Sequence, residues 1–293
     1  MNKLELKKFV EENPNLVSMK PAGDGAFVLK YKKRVFYDNL WNDFLEECRG
    51  TIVDQDFEIV QRPFTKIYNY GVEAKAPVLP PETVVEAYRK VNGFMIAVTW
   101  HNNDLLISTT GSTNSDFVAM ARELIDVDRY REVCAKYESY TFMFECVHRN
   151  DPHIVPEQEG MYLLGYRYKS WDSVTETKMI SKLTLDFGSI PVKHYLTTMH
   201  TLLQKVKTVR HEGFVFYTND GTSAKIKSPY YLTSKWVVRN PRTDKLVNMQ
   251  ADIKKNIDEE YYPLIDAIRA NIVEYTAMDE QARLAWVRNY LGE

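Results

Sequence analysis

Short strand-like runs separated by tight-turn signals recur through most of this chain, and they restrict it to a fold built around antiparallel sheets. The strongest instance is "EGFVFYTNDGTSAKIKSPYYL", where Asn219-Asp220-Gly221 supplies residues that tolerate a left-handed backbone. A second is "FMIAVTWHNNDLLISTTGS", with His101-Asn102-Asn103-Asp104 as its turn. Residues 26–62 are β-rich, and "CRGTIVDQDFEIVQRPF" reads as two strands around Asp54-Gln55-Asp56. Between "VVEAYR" and "FMIAVTW" stands Lys90-Val91-Asn92-Gly93, which reads as a turn between strands, its Asn-Gly pair tolerating positive φ. Such a turn does not need a lysine at its head. Further strands lie in "YTFMFECVHR" and "MYLLGYRYKSWDSVTETKMI".

Helical periodicity interrupts these runs. Phe117, Met120, Ala121, Leu124 and Ile125 recur at helical spacing behind Ser115, an N-cap residue, and "RYREVCAKY" continues helically. A helix is predicted over about 194–207, in "HYLTTMHTLLQKVK". Beyond residue 240 the pattern is helical. Leu264, Ile268, Ile272 and Tyr275 form a stripe, and Thr276-x-x-Asp279 reads as a capping box opening a last helix. The N-terminal "MNKLELKKFVEENPNL" reads as an amphipathic helix with Leu4, Phe9 and Val10 apolar, lacking the apolar core of a signal peptide. The order is α+β: a body over 1–240 of antiparallel sheets with flanking helices, then a small all-helical C-terminal region over 241–293.

Composition narrows the class. No apolar run approaches the roughly 20 residues that span a bilayer. Cys48, Cys134 and Cys146 are widely spaced and odd in number, so they read as thiols of a reduced, cytoplasmic protein without a zinc site. The six histidines show no HExxH spacing. A net charge of −2 argues against a surface coated in basic residues, but it permits a local basic groove.

Lys90 has company. Within "FMFECVHR", Glu145 shares a strand face with Met143 and Val147, where a carboxylate is costly unless paired. Glu212-Gly213 precedes the last hairpin, and its returning strand carries Lys225 and Lys227 on one face. Two parallel ammonium groups can clamp phosphate oxygens. Alone, the Glu145 face reads equally as a solvated face, and the lysine pair reads more readily as a solvated polar face with Ile226 pointing into the core. Their order along the chain is Lys-x-x-Gly, a strand Glu, Glu-Gly, then Lys-x-Lys.

That ordered set resembles the covalent nucleotidyltransferases, the ligases and capping enzymes. "ECRGTIVD", "RPFTKIYNYGVE", "FECVHRNDPHIV", "LLGYR" and the tail "QARLAWVRNYL" narrow the resemblance to the RNA ligase family of T-even bacteriophages and its relatives. It implies an ATP-grasp-like ligase adenylation domain. It implies that Lys90 becomes lysyl-AMP by attacking the α-phosphate of ATP. Glu145 would contact ribose or metal-bound water, and Glu212 would sit with a divalent ion, Mg²⁺ or alternatively Mn²⁺. Arg49 and Lys66 match basic positions expected to grip the β- and γ-phosphates, Lys225 and Lys227 the α-phosphate, and Gly93 would allow close backbone approach. Tyr68 stands where the family has phenylalanine. "LLGYR" resembles the nucleotide-side strand, with Tyr166 stacking on adenine beside Arg167. The partner implied is RNA with 5′-phosphate and 3′-hydroxyl ends, in repair of broken RNA such as tRNA, inside host cytoplasm if phage-encoded.

The chemistry needs an amine that is neutral part of the time. A free lysine is neutral in only ~1 molecule in 10³ at pH 7. Burial, and the like charges of Lys225 and Lys227, are expected to lower the Lys90 pKa. Two departures from the family pattern stand out. Asn92 replaces the commoner aspartate of KxDG, and Thr110 stands in "STTGS" where lysine is frequent. Two rival readings are a DNA-joining or capping relative and a non-catalytic RNA-binding module. The first normally follows Lys-x-Lys with a β-rich oligonucleotide-binding domain. Here a helical tail follows, with seven Lys/Arg against ten Asp/Glu from residue 241 on, which favours the RNA ligases and does not by itself read as an RNA surface.

Overall fold

Asn102 and Asn103, both left-handed at φ 50° and 59°, close the hairpin expected of them, joining β6 (Phe94–His101) to β7 (Asp104–Ser108). The Asn219-Asp220-Gly221 hairpin likewise joins β12 (Gly213–Tyr217) to β13 (Ser223–Lys227), with Gly221 at φ 85°. The computed structural model describes residues 2–239 and 257–292.

Three antiparallel sheets organise the described residues. The first is β1 (Val17–Gly23), β2 (Ala26–Tyr31), β3 (Arg49–Val53) and β4 (Ile59–Gln61), in that order. The second runs β10 (Thr175–Glu176), β9 (Gly160–Tyr168), β8 (Tyr140–Val147), β6, β7. The third runs β11 (His194–Thr198), β5 (Val84–Arg89), β12, β13. Helices cover them. The first sheet packs on α1 (Lys3–Glu12), α2 (Lys33–Tyr37) and α3 (Asp43–Glu47) through Leu6, Leu29, Val35 and Leu45. The second packs Phe142, Phe144 and Ile107 against α4 (Asp116–Leu124), α5 (Val127–Lys136) and α6 (Ile180–Phe187). The third packs Val85, Phe214 and Phe216 against Leu202 of α7 (Met199–Lys205).

A separate helical layer joins α8 (Pro229–Arg239) to α9 (Tyr262–Ala270), α10 (Ile272–Ala277) and α11 (Glu280–Tyr290). Its core includes Val237, Val238, Leu264, Ile268 and Tyr275, together with Ile154 and Val155 from the body. The stripe over 264–275 is thus internal, with Ile272 at its margin. No helix among the described residues is long and apolar enough to cross a membrane. All three cysteines are free and buried.

Several expectations need correction. Lys90-Val91-Asn92-Gly93 is not a hairpin: β5 and β6 belong to different sheets, and neither Asn92 nor Gly93 adopts positive φ. The chain crosses there from one sheet to the other. Residues 194–198 are not helical but form the edge strand β11 on β5, with β-branched Thr197 opposite Val85 and the helix starting only behind Thr198 as N-cap. The β-rich reading of 26–62 includes two short helices, α2 and α3. Asp279 alone caps α11, accepting from Ala282 N at 2.8 Å, while the Thr276 hydroxyl donates back to the Ile272 carbonyl at 2.7 Å. In α1 the buried residues are Leu6 and Val10; Leu4 is exposed, and Phe9 stacks on Phe44. Ser115 caps α4 as expected, but the buried residues there are Val118 and Ala121, with Phe117 half-exposed against Phe94.

Candidate active site

The crossing from β5 to β6 places Lys90 where the second and third sheets meet. Its backbone N–H donates to the Gly213 carbonyl at 2.9 Å, extending the pairing of β5 with β12 by one residue. Gly213 sits at φ 132°, and a Cβ there would fall 2.0 Å from the Ile226 carbonyl oxygen, so only glycine can follow Glu212 at this point. Gly93 is needed for a different reason: a Cβ would meet the Cys146 carbonyl oxygen at 2.3 Å and Glu145 Cγ at 3.1 Å. The glycine lets the chain leave Lys90 directly against the Glu145 strand.

The Lys90 side chain is 21 % exposed, and its Nζ lies 3.1 Å from Glu212 Oε2. Glu212, itself buried, is contacted on both oxygens: Lys227 Nζ approaches Oε1 at 3.2 Å, and Asn92 Nδ2 donates to Oε2 at 2.7 Å. Glu145 is buried and accepts from the Gly93 N–H at 3.1 Å. One lysine therefore faces two carboxylates, and one of these faces a second lysine.

The electrostatics differ from the expectation. Burial pushes the Lys90 ammonium down, but Glu145 and Glu212 together outweigh it and hold its pKa above the ordinary lysine value. Burial pushes the Glu145 carboxyl up, despite Lys90, while Lys90 and Lys227 pull Glu212 below the usual range against its own burial. The two acids are pushed apart, which suits them to different roles. The lysine whose pKa falls is Lys225, lowered to about 7 by burial and then by Arg49, Lys227, Lys90 and Lys66.

Lys225 marks a cation cluster. Residues 68–70 add to the free edge of β13: Lys225 N donates to the Tyr68 carbonyl and Tyr70 N to the Lys225 carbonyl, both at 2.9 Å. This brings Lys66 and Tyr68 beside Arg49 at the start of β3. Lys66 is buried, ion-paired with Glu73, and seated over the Trp41 and Tyr68 rings at 4.6 and 4.4 Å. The Arg49 Nε is buried and finds no acceptor among the described residues. An orphaned guanidinium donor within range of Lys225 suits an anion richer in oxygens than one carboxylate. Thr110 packs against Gly50, and beside it the Lys30 ammonium lies against Gly111.

Binding of sulfate, which does not titrate near neutral pH, to this cluster is expected to favour the charged form of Lys225 and raise its pKa. Since the free value is about 7, binding at pH 8 should take up close to one proton. Calorimetry in buffers of different ionisation enthalpy measures this, and a heat independent of buffer would contradict it.

Beside Lys90 opens a small apolar cleft of about 60 Å³, walled by Phe64, Ile67, Tyr88, Leu164, Val215 and Tyr217, with Lys90 and Glu145 on its border. Tyr88 and Tyr217 meet edge to face at 5.8 Å. Sequence reasoning missed both; their alternation on β5 and β12 was the available signal. Tyr166, expected to stack on a base, is instead buried on the opposite face of its sheet with Tyr140 and Phe142. Arg167 is also diverted: with Arg62 it grips buried Glu47, at 3.0 and 2.6 Å. Tyr68 donates to Glu46 at 2.6 Å.

The donor set fits a divalent ion only in part. Glu145 and Glu212 offer hard carboxylate oxygens, and no group of three or more candidate ligands occurs among the described residues. Mg²⁺ or Mn²⁺ is suited to such sparse ligation when phosphates and water complete the shell.

The family model for RNA ligase matches residues 47–231, from the end of α3 into α8. The chain belongs to the RNA ligase family. Arg49, Lys66, Lys90, Gly93, Glu145, Glu212, Lys225 and Lys227 all lie inside that match. Among solved structures, an archaeal ATP-dependent RNA ligase is similar in two forms. Form 1 has a TM-score of 0.58 at 14% identity, covering 98% of this chain and 75% of that one. Form 2 has a TM-score of 0.56 at 13% identity with the same coverage of 98% and 75%. An Aquifex aeolicus protein named as an ATP-dependent DNA ligase has a TM-score of 0.56 at 16% identity, over 94% of this chain and 72% of that one. At these identities the likeness is one of fold: the α+β arrangement of antiparallel sheets is the nucleotidyltransferase fold of ligases.

Proposed function

We propose that this member of the RNA ligase family is an ATP-dependent ligase that joins RNA 5′-phosphate and 3′-hydroxyl ends through Lys90. The observation that carries the reading is the convergence of Lys90, Glu145, Glu212 and the Lys225–Lys227 pair from two strands and two connections, with Lys90 and Glu145 at the border of one apolar cleft. Adenine would enter the cleft between Tyr88, Tyr217 and its aliphatic walls. The triphosphate would extend over Lys225 and Lys227 towards Arg49 and Lys66, displacing Glu73 from Lys66.

In the first step Lys90 Nζ, its proton released to solvent, forms a P–N bond to the α-phosphorus. The α–β phosphoanhydride breaks and pyrophosphate leaves with the bonding electrons onto the Arg49–Lys66 side. An RNA 5′-phosphate oxygen then takes the adenylate from Lys90, and an RNA 3′-hydroxyl displaces AMP. Glu212 orients Lys90, and the lysine pair stabilises the charge on the transferred phosphate by position alone. A Mg²⁺ or Mn²⁺ ion held by Glu212 and Glu145 with phosphate oxygens would offset the negative charges that keep Lys90 protonated. Residues 1–240 form the catalytic body in this reading; of the C-terminal region over 241–293, residues 241–256 lie outside the described residues, and the helices over 262–290 buttress the body, in the cytoplasm of the cell in which it repairs RNA.

The test uses single-stranded, 5′-phosphorylated RNA with ATP and Mg²⁺. Circular or joined product is expected, absent when the 5′ end is a hydroxyl. Joining of nicked duplex DNA with no RNA product would favour the DNA-joining alternative, and ATP-independent RNA binding without joining the non-catalytic one. Broken anticodon stem-loops belong in the same panel.

A further inference from the structure

Asn92 stands where an aspartate is commoner, and its surroundings show what the neutral residue does. It is 4 % exposed. Its Nδ2 donates to Glu212 Oε2 at 2.7 Å, and its Oδ1 accepts the Val155 N–H at 3.1 Å. These are opposite functions, and a carboxamide is the short side chain that supplies both. An ionised aspartate could still accept from Val155. It would set a second carboxylate against Glu212 where water is scarce, in place of a donor.

Val155 belongs to a segment, 153–157, clamped from three sides. Arg89, the neighbour of Lys90, holds Glu157 with its Nη2 at 3.0 and 2.8 Å from the two carboxylate oxygens. Arg288 of α11 donates to the carbonyls of His153 at 2.9 Å and Ile154 at 3.0 Å. Ile154 and Val155 are buried in the core of the helical layer, with Leu264 and Ile268. The path from α11 to Lys90 is therefore continuous: Arg288, the 153–155 backbone, Asn92, Glu212, Lys90.

We propose that Asn92 is a positioning residue that fixes the Glu212 carboxylate against Lys90 and couples it, through segment 153–157, to the C-terminal helices. This rests on the Lys90 reading above. It assigns the helices a task in the first chemical step, separate from any contact with RNA.

The test is the single-turnover rate of label transfer from ATP to the full chain, first freed of bound adenylate with pyrophosphate. The variants are Asn92→Asp, Asn92→Ala, Arg288→Ala and the double variant Asn92→Ala/Arg288→Ala, with thermal melting as a check on folding. Asn92→Asp should slow transfer at saturating ATP roughly 10- to 100-fold, the scale for losing a hydrogen bond to a buried charged group. The half-saturating ATP concentration should stay within about threefold, because Asn92 does not line the cleft assigned to the nucleotide. Arg288→Ala should slow transfer by about threefold or more, and in the double variant it should add nothing to Asn92→Ala, since the path is already cut. A rate for Asn92→Asp within about twofold of the parent overturns the proposal. So does a double variant whose loss is the product of the single losses, and this cycle decides the matter should Asn92→Asp not fold. A parent chain that takes no label at all defeats the Lys90 reading instead, so the two failures are distinguishable.

Discussion

Lys90→Ala is expected to accept no label from ATP, a loss of roughly 10⁴-fold or more, as for removal of other covalent nucleophiles. Lys90→Arg should fail as completely, although it preserves the positive charge opposite Glu212. A guanidinium stays protonated at every accessible pH and cannot form the P–N bond. The arginine variant separates two roles of the side chain. As counter-ion, Lys90 lies 3.1 Å from a buried carboxylate, and arginine can take over that task. As the proposed nucleophile it has no substitute. Both variants should still join RNA supplied with adenylate already on its 5′-phosphate, the arginine variant better than the alanine one, because that step needs the charges of the site and no new acceptor for AMP. Label incorporated by Lys90→Ala at a parental rate would show that another group takes the adenylate.

The second large effect is on stability. Glu47 is 5 % exposed and receives both guanidinium groups, Arg62 Nη2 at 2.6 Å and Arg167 Nη2 at 3.0 Å on the same oxygen, with Arg62 Nε at 3.2 Å and Arg167 Nη1 at 3.3 Å on the other. The three residues come from α3, the end of β4 and β9, so they fasten the first sheet to the second. Arg62 is further held by the carbonyls of Ser170 and Trp171. Glu47→Ala leaves two buried cations facing each other without the charge between them. Breaking a buried pair costs about 3–5 kcal/mol. For a chain of this size that corresponds to a fall of roughly 6–20 °C in melting temperature. Glu47→Gln keeps the shape and should fall part of the way. A drop below about 1 kcal/mol for Glu47→Ala, as at an exposed ion pair, would contradict this account of the junction.

What the sequence revealed and what it hid divide along one physical line. Features fixed by neighbours along the chain were legible. Asn219-Asp220-Gly221 specifies its hairpin, and period two then puts Lys225 and Lys227 on one face whatever the sheet packs against. The Ser115 cap is equally local. Features fixed by distant segments were not. Residues 194–198 join a sheet because β5 offers an open edge, a fact absent from "HYLTT" itself. Asn92-Gly93 has the composition of a hairpin turn, yet Gly93 is required by a carbonyl fifty residues on and Asn92 by two partners farther still. Tyr166 and Arg167 share a strand with the site's neighbours but are claimed by the core and by Glu47. The sign of the Lys90 pKa shift is the clearest case. The lysine pair in the sequence suggested repulsion, while the fold sets two carboxylates nearer and leaves Lys225 to bear the repulsion.

That contrast poses the most direct test of the central claim. Lys225 is the more easily deprotonated amine, with a pKa lowered to about 7, whereas Lys90 stands at the mouth of the cleft beside Glu145 and Glu212. If geometry selects the nucleophile, mass spectrometry of the chain after reaction with ATP and Mg²⁺, followed by peptide mapping, will find one adenylate, on Lys90. An adenylate mapped to Lys225, or to any lysine outside this junction, would contradict it.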